Sequence, residues 1–362
     1  MSGRRPPRPL YGGRPLADWT RAGGRPERRV AAHALRLAWH AYWFEQNWRT
    51  ASRRLDALPP PDDPVFVLGF WRSGTTVLHE LIAAATDWLT PRTWQCFHPS
   101  TCFLSGPPRQ QAAAERPMDA GRIETFGPQE DELALLLLGE PSAYRGFIDP
   151  RRLDECAELA TTAVAAAPAA TAPATTLPRW QAFLRGIAAA SPGSRLLLKS
   201  PGHTFRLPLL QSLFPRARFV WIGRESGEVL ASNLRMWRAM MDTYALWDPP
   251  GGALERFLSR MFHACGGALE RCLAEMPPQR LLWVDFAALT AQPRQTLADV
   301  LRFLQLDGPR EPAQLERRLT RALMRVPVHP GSRASPPDDE HALAFDRLAT
   351  VARQRFGPRS AG

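Results

Sequence analysis

Residues 65–85, VFVLGFWRSGTTVLHELIAAA, constrain this chain more than any other stretch. The run Val65-Phe-Val-Leu68 has the composition of a strand buried on both faces. The chain then turns at Gly69 and Gly74 and continues with Val77, Leu78, Leu81, Ile82 and Ala85, apolar positions at the helical spacing of three and four. A strand, a glycine turn and a helix form an anion cradle, because backbone N–H groups converge at the helix N-terminus, where the dipole also favours negative charge. Arg72, Ser73, Thr75 and Thr76 add a guanidinium and three hydroxyls to that cradle.

The spacing Gly69-x4-Gly74 is that of a nucleoside-triphosphate loop, which would next need Lys and then Ser or Thr. Thr75 and Thr76 stand there instead. Without that lysine, the charge that reaches the outer phosphates of ATP is missing, and a triphosphate–Mg²⁺ site is disfavoured. An arginine before a compact Ser-Gly-Thr-Thr turn suits a single phosphate-type group.

The chain has 362 residues, enough for a large α/β core with helical additions. Its net charge of +11 implies attraction to anions without choosing among nucleotide, nucleic acid and membrane. Of 46 basic residues only Lys199 is lysine. A background of arginine marks Lys199 as a place where an ammonium is needed and a guanidinium does not serve. The five cysteines form no C-x-x-C pair, so free thiols and no zinc site are expected. The N-terminus lacks an apolar signal region, and the apolar block near Leu133 to Leu138 is too short to span a bilayer. A cytoplasmic protein is the expectation.

Residues 1–27, rich in Arg, Pro and Gly, read as a flexible basic arm. Residues 28–58 carry a helical pattern whose aromatics and arginines would dock on the main domain or contact a membrane. Residues 64–310 form the α/β domain, and residues 311–362 a C-terminal helical tail with a proline-rich break near Pro327 to Pro337. The stretch from Trp88 to Gly127 reads as loop-rich. Residues beyond Pro168 read as a low-complexity connector. Within the domain, RLLLK (195–199), RFVWIG (218–223) and LLWV (281–284) are further buried strands, separated by helical patterns over 204–214, 227–241 and 254–276. Such alternation predicts a P-loop-like open parallel sheet with helices on both faces and additional helices at both termini.

In an open parallel sheet, ligands lie beyond the carboxyl ends of the strands. Three groups fall there independently: the Arg72–Thr76 turn, Lys199 and Arg224, with Ser232 in the helix that follows Arg224. A guanidinium fork and a hydroxyl suit a terminal phosphate dianion. The competing reading of Arg224 is an ion pair with Glu225 or Glu228.

The segments FWRSGTT, LLKSPGHT and FVWIGRESGEVLAS, in that order, resemble the motifs of sulfotransferases that use 3′-phosphoadenosine 5′-phosphosulfate (PAPS). RPMD (116–119) with PQEDE (128–132) is similar to a bacterial branch of that family, and the likeness covers about Pro64 to Leu306. The resemblance implies that Arg72, Ser73, Gly74, Thr75 and Thr76 bind the 5′-phosphosulfate, that Arg224 and Ser232 bind the 3′-phosphate, and that Lys199 holds the sulfuryl group and the leaving phosphate. It implies PAPS as co-substrate, no metal, and transfer to a hydroxyl or amine of a small or lipid-like acceptor. No specific nucleic-acid partner is expected, because the arginines are dispersed along the chain.

The departures concern the general base. Cytosolic members carry a histidine two residues after the lysine, where this chain has Pro201; His203 lies four after. Trp71 replaces a proline common before the loop arginine, and Gln95 stands where several members have Glu. His203 is one candidate base, and Glu130, with its neighbours Asp131 and Glu132, another. The rival functions are a kinase-like phosphotransferase with a degenerate loop, for which Asp285 is the nearest metal-holding candidate, and a non-catalytic anion or nucleotide binder.

Overall fold

The computed structural model describes residues 28–116, 118, 121–165, 177–304, 312–328 and 340–358. The basic arm, the connector beyond Pro168 and most of the proline-rich break therefore lie outside the described residues. Among those described, strands β1 (Val65–Leu68), β2 (Leu197–Lys199), β3 (Arg218–Gly223) and β4 (Leu281–Asp285) form one parallel sheet in the order β2-β1-β3-β4. Val65 pairs with both Leu197 and Arg218, so the strand leading into the glycine turn has a neighbour on each side.

Alternation along the strands sorts side chains by size. Val65, Val67, Val220, Ile222 and Val284 point to one face, while Phe66, Phe219, Trp221 and Trp283 point to the other. The helices around the sheet include α1 (Arg28–Leu55), α2 (Thr75–Ala85), α3 (Glu132–Leu137), α4 (Pro178–Ala188), α5 (Ser226–Tyr244), α6 (Ala253–Glu275), α7 (Pro293–Phe303), α8 (Pro312–Arg325) and α9 (Glu340–Phe356). The β-branched face packs against α2, α7 and α8 through Leu78, Ile82, Leu297, Val300, Leu319 and Ala322. The aromatic face packs against the layer that includes α4, α5 and α6.

The C-terminal helical segment expected from residue 311 contains α8 and α9, and both pack on the domain: Leu319 and Ala322 of α8 are buried beside the sheet, and Phe345 of α9 meets Phe262 of α6 edge-on at 5.1 Å. The loop-rich stretch from Trp88 to Gly127 also holds short helices at Thr93–Phe97 and Cys102–Ser105 and a hairpin of Ala113–Glu115 with Arg122–Glu124. The helix expected over 204–214 is split. A 3-10 turn covers Pro201–Arg206, and an α-helix starts at Leu207 with Pro208 in its first turn, where a missing N–H costs nothing. All five cysteines are buried free thiols.

The layers aim α2. Its C-terminal carbonyls at Ala84 and Ala85 accept hydrogen bonds from Arg321 Nε (2.8 Å) and Arg318 Nη1 (3.2 Å) of α8. Cations at that end complement the dipole, while the other end of α2 emerges at the glycine turn.

Candidate active site

The turn between β1 and α2 adopts backbone that its glycines permit. Gly69 has φ 147°, and a Cβ there would sit 2.6 Å from the Ile222 carbonyl oxygen. Gly74 has φ 103°, and a Cβ would run into the Phe286 ring. Arg72 also lies in the left-handed region, at φ 68°, a strain that persists where the surroundings fix it. Ser73 is buried, and its Oγ donates to the Phe70 carbonyl at 2.8 Å. Thr204 clips the turn to the next segment, since its Oγ1 accepts from Gly69 N (3.0 Å) and donates to Gly69 O (3.1 Å).

The structure brings Arg72, Arg224 and Ser232 together. Arg72 Nε donates to Ser232 Oγ at 3.1 Å, and Arg224 Nη1 donates to the Arg72 carbonyl at 3.3 Å. Arg224 also holds the ion pair with Glu228 that the sequence left open, at 2.6 Å, and lies over the Phe286 ring at 4.6 Å. The ion-pair reading of Arg224 is thus met, and the same guanidinium still lies beside the turn and Ser232.

Lys199 ends β2, with its side chain 5% exposed. Its Nζ lies 3.2 Å from Glu130 Oε2 and 3.4 Å from Thr76 Oγ1 in the first turn of α2. The ammonium thus joins the anion cradle to a carboxylate. The Tyr144 hydroxyl donates to the other oxygen of Glu130, Oε1, at 3.1 Å, and accepts from Trp71 Nε1 at 3.1 Å. The polarity of this chain is fixed, because an indole N–H can only donate and so leaves the phenol proton for the carboxylate. Burial first, then Glu130 and Glu132, push the Tyr144 phenol well above its usual range, so it stays protonated and able to donate.

The acidic triplet has three separate fates. Glu130 faces Lys199. Asp131 is fully buried, its Oδ2 accepting from Trp180 Nε1 (2.7 Å) and lying 2.8 Å from His203 Nε2. Glu132 is buried between Arg206 (2.7 and 2.8 Å), Ser142 (2.6 Å) and Ser200 (2.9 Å). Burial pushes the Glu132 carboxyl up, but Arg206, His203 and Ser142 outweigh it and hold it at about 2. Asp131 and Glu132 therefore pin the backbone that presents Glu130.

His203 is not brought to this cluster. It is fully buried, with Phe66 and Trp180 rings 5.4 and 5.3 Å from its own, and its partner is Asp131. Trp71 is core, held by Tyr144, Phe70 and Trp237. Gln95 closes a turn on the Arg92 backbone N–H at 2.8 Å. His79 bonds Thr90 at 2.8 Å, and burial, aided by Lys199 and Arg92, lowers its pKa well below the usual value.

Sequence reasoning missed Tyr144, Thr204 and the use of the Trp71 indole. Thr204 closes the quoted LLKSPGHT segment and could have been found from it. Tyr144 lies fourteen residues beyond Glu130 in no recognisable pattern.

Comparison with known proteins agrees with this geometry. The model of the Sulfotransferase family matches residues 64–310. Omega-hydroxy-beta-dihydromenaquinone-9 sulfotransferase Stf3 of Mycobacterium bovis is 29% identical over 209 residues, 56% of this chain and 52% of that protein. The chain thus matches about half the length of that relative, and the Mycobacterium tuberculosis protein of the same name aligns identically. The crystal structure of sulfotransferase STF1 from Mycobacterium tuberculosis superposes with TM-score 0.58 at 17% identity, covering 89% of this chain and 86% of that one. Sulfotransferase STF9 from Mycobacterium avium gives TM-score 0.58 at 21% identity, over 90% and 83%. These two likenesses show a shared fold. With the family model spanning well over half its length, and the glycine turn, Lys199 and Arg224 gathered at one rim of the sheet, the chain belongs to the sulfotransferase family.

Proposed function

We propose that this protein moves a sulfuryl group from PAPS to the hydroxyl of a lipid-like acceptor. The observation that carries the reading is the placement of the Lys199 ammonium between Thr76, at the start of α2, and Glu130. In the proposed step the acceptor oxygen bonds to sulfur while the bond from sulfur to the bridging phosphate oxygen breaks, leaving adenosine 3′,5′-bisphosphate. Glu130 takes the hydroxyl proton as its oxygen attacks, a role that contributes about 10²–10⁴-fold. Lys199 neutralises the charge that develops on the departing oxygen. The backbone N–H groups of the Arg72–Thr76 turn would hold the 5′-phosphosulfate, and Arg224 with Ser232 the 3′-phosphate.

The acceptor class follows the relative named as an omega-hydroxy-beta-dihydromenaquinone-9 sulfotransferase, whose named acceptor carries a hydroxyl. The kinase alternative is disfavoured by Asp285, which is spent on a two-pronged pair with Arg353 at 2.6 and 2.7 Å. Incubation with PAPS and long-chain hydroxylated lipids tests the reading by mass spectrometry. Sulfated lipid together with adenosine 3′,5′-bisphosphate is the expected result. ATP consumption in the presence of Mg²⁺ without sulfated product would overturn it.

A further inference from the structure

We propose that the outer face of α1 docks this protein on an anionic lipid surface. At about 100° per residue, Ala41, Phe44, Trp48, Ala51 and Leu55 share one side of the helix, and all are buried. The opposite side carries Trp39, Tyr42 and Trp43, which are 65%, 55% and 46% exposed. Further along that side come Arg49, Arg53 and Arg54, all exposed. The three aromatics form a ridge: the Trp39 and Tyr42 rings each meet the Trp43 ring edge-on at 5.6 Å. An exposed apolar cluster of this kind marks an interaction surface rather than ordinary exterior.

Charge selects the occupant. Among residues 39–55 the one carboxylate is Glu45, and Arg179 of α4 holds it at 2.7 and 2.9 Å. Asp56, just past the helix, is exposed and lies 3.8 Å from Arg185, so the described outer face carries aromatics and arginines in excess of acids. Tryptophan and tyrosine settle at the headgroup level of a bilayer, where one end of the ring is dry and the other wet. Arginines beside them complement anionic headgroups. A second copy of the chain meeting this face through its own would bring like charges together, which disfavours self-association here.

The placement suits a lipid-like acceptor. The inner face of α1 rests against α4, where Leu55 and Phe103 crowd Gly186. Trp180 of α4 is the donor to Asp131, the neighbour of Glu130. Leu104, beside Phe103, is itself 39% exposed. The docking face thus lies behind the wall that carries the proposed base. Binding to lipid does not depend on the proposed reaction, so the two can fail separately.

The test is co-sedimentation of the full chain with vesicles of phosphatidylglycerol and phosphatidylcholine, and with phosphatidylcholine alone. The expected result is binding to the anionic vesicles that falls at least about tenfold in a Trp39→Ser/Tyr42→Ser/Trp43→Ser variant. An Arg49→Gln/Arg53→Gln/Arg54→Gln variant should lose the preference for phosphatidylglycerol. Both variants should bind adenosine 3′,5′-bisphosphate as the unaltered chain does, which establishes that they fold. Absence of vesicle binding, equal binding by the aromatic variant, or a dimer that this variant dissolves would each overturn the proposal. Vesicle binding without nucleotide binding would leave it standing and count against the proposed reaction.

Discussion

The two ends of the sheet carry similar charges and put them to opposite use. Near the amino ends of β2 and β3, Arg195 and Arg218 each donate to the Leu304 carbonyl, at 2.9 and 2.7 Å. That carbonyl lies at the C-terminus of α7, and Arg195 also pairs with Asp63 at 2.7 Å. At the carboxyl ends of the same strands, Lys199 and Arg224 stand at the glycine turn, beside the N-terminus of α2. Helix C-termini consume cations at one end, while helix N–H groups add to the cations at the other. A charge count of +11 cannot distinguish the two; strand direction does.

Substitutions at the two ends should therefore separate activity from stability. Lys199→Ala is expected to lower kcat by about 10³-fold or more, while affinity for adenosine 3′,5′-bisphosphate stays within about tenfold because the turn and Arg224 remain. Steady-state kinetics beside calorimetric titration checks both halves. Glu130→Gln should cost about 10²–10⁴ in kcat, whereas His203→Gln should leave more activity than Glu130→Gln.

The knot behind Glu130 gives the next effect, one of pH. The Glu132 carboxyl sits at about 2 in the folded chain against an ordinary 4.5. Its contribution is present above pH 4.5 and is lost as pH falls towards 2. The linked change is about 3 kcal/mol. Urea unfolding between those pH values should show the loss, and a flat profile would remove the role given to the Glu132–Arg206 pair.

Tyr144→Phe removes the donor to Glu130 Oε1 while keeping the ring. We expect kcat to fall about tenfold, as one hydrogen bond to a charged group suggests, with donor affinity unchanged. The smallest effect belongs to the amino end. Arg218→Met should cost about 1 kcal/mol of stability, since Arg195 still holds Leu304 O, and should leave kcat within about twofold.

The proposed donor side was legible in the sequence because each of its pieces is local. Residues 69–76 lie on one turn, Lys199 stood out as the lone lysine, and Arg224 with Ser232 share one strand–helix junction. The acid side was not. Glu130, Asp131 and Glu132 are consecutive, yet each turns to partners far along the chain: Lys199 for the first, Trp180 and His203 for the second, Arg206 for the third. Sequence proximity of His203 to Lys199 suggested a base, but the 3-10 turn at Pro201–Arg206 carries that ring into the core instead. The small hairpin at 113–124 escaped notice for another reason. The side chains of its first strand, Ala-Ala-Glu, are all exposed and give no alternation to read.

The most direct test of the account is calorimetric titration of adenosine 3′,5′-bisphosphate and adenosine 5′-monophosphate into the intact chain and an Arg224→Ala variant. The account expects the bisphosphate to bind at least about tenfold more tightly, and Arg224→Ala to erase most of that difference. Equal affinity for the two nucleotides in the intact chain, or tighter binding of ATP than of either, would contradict it.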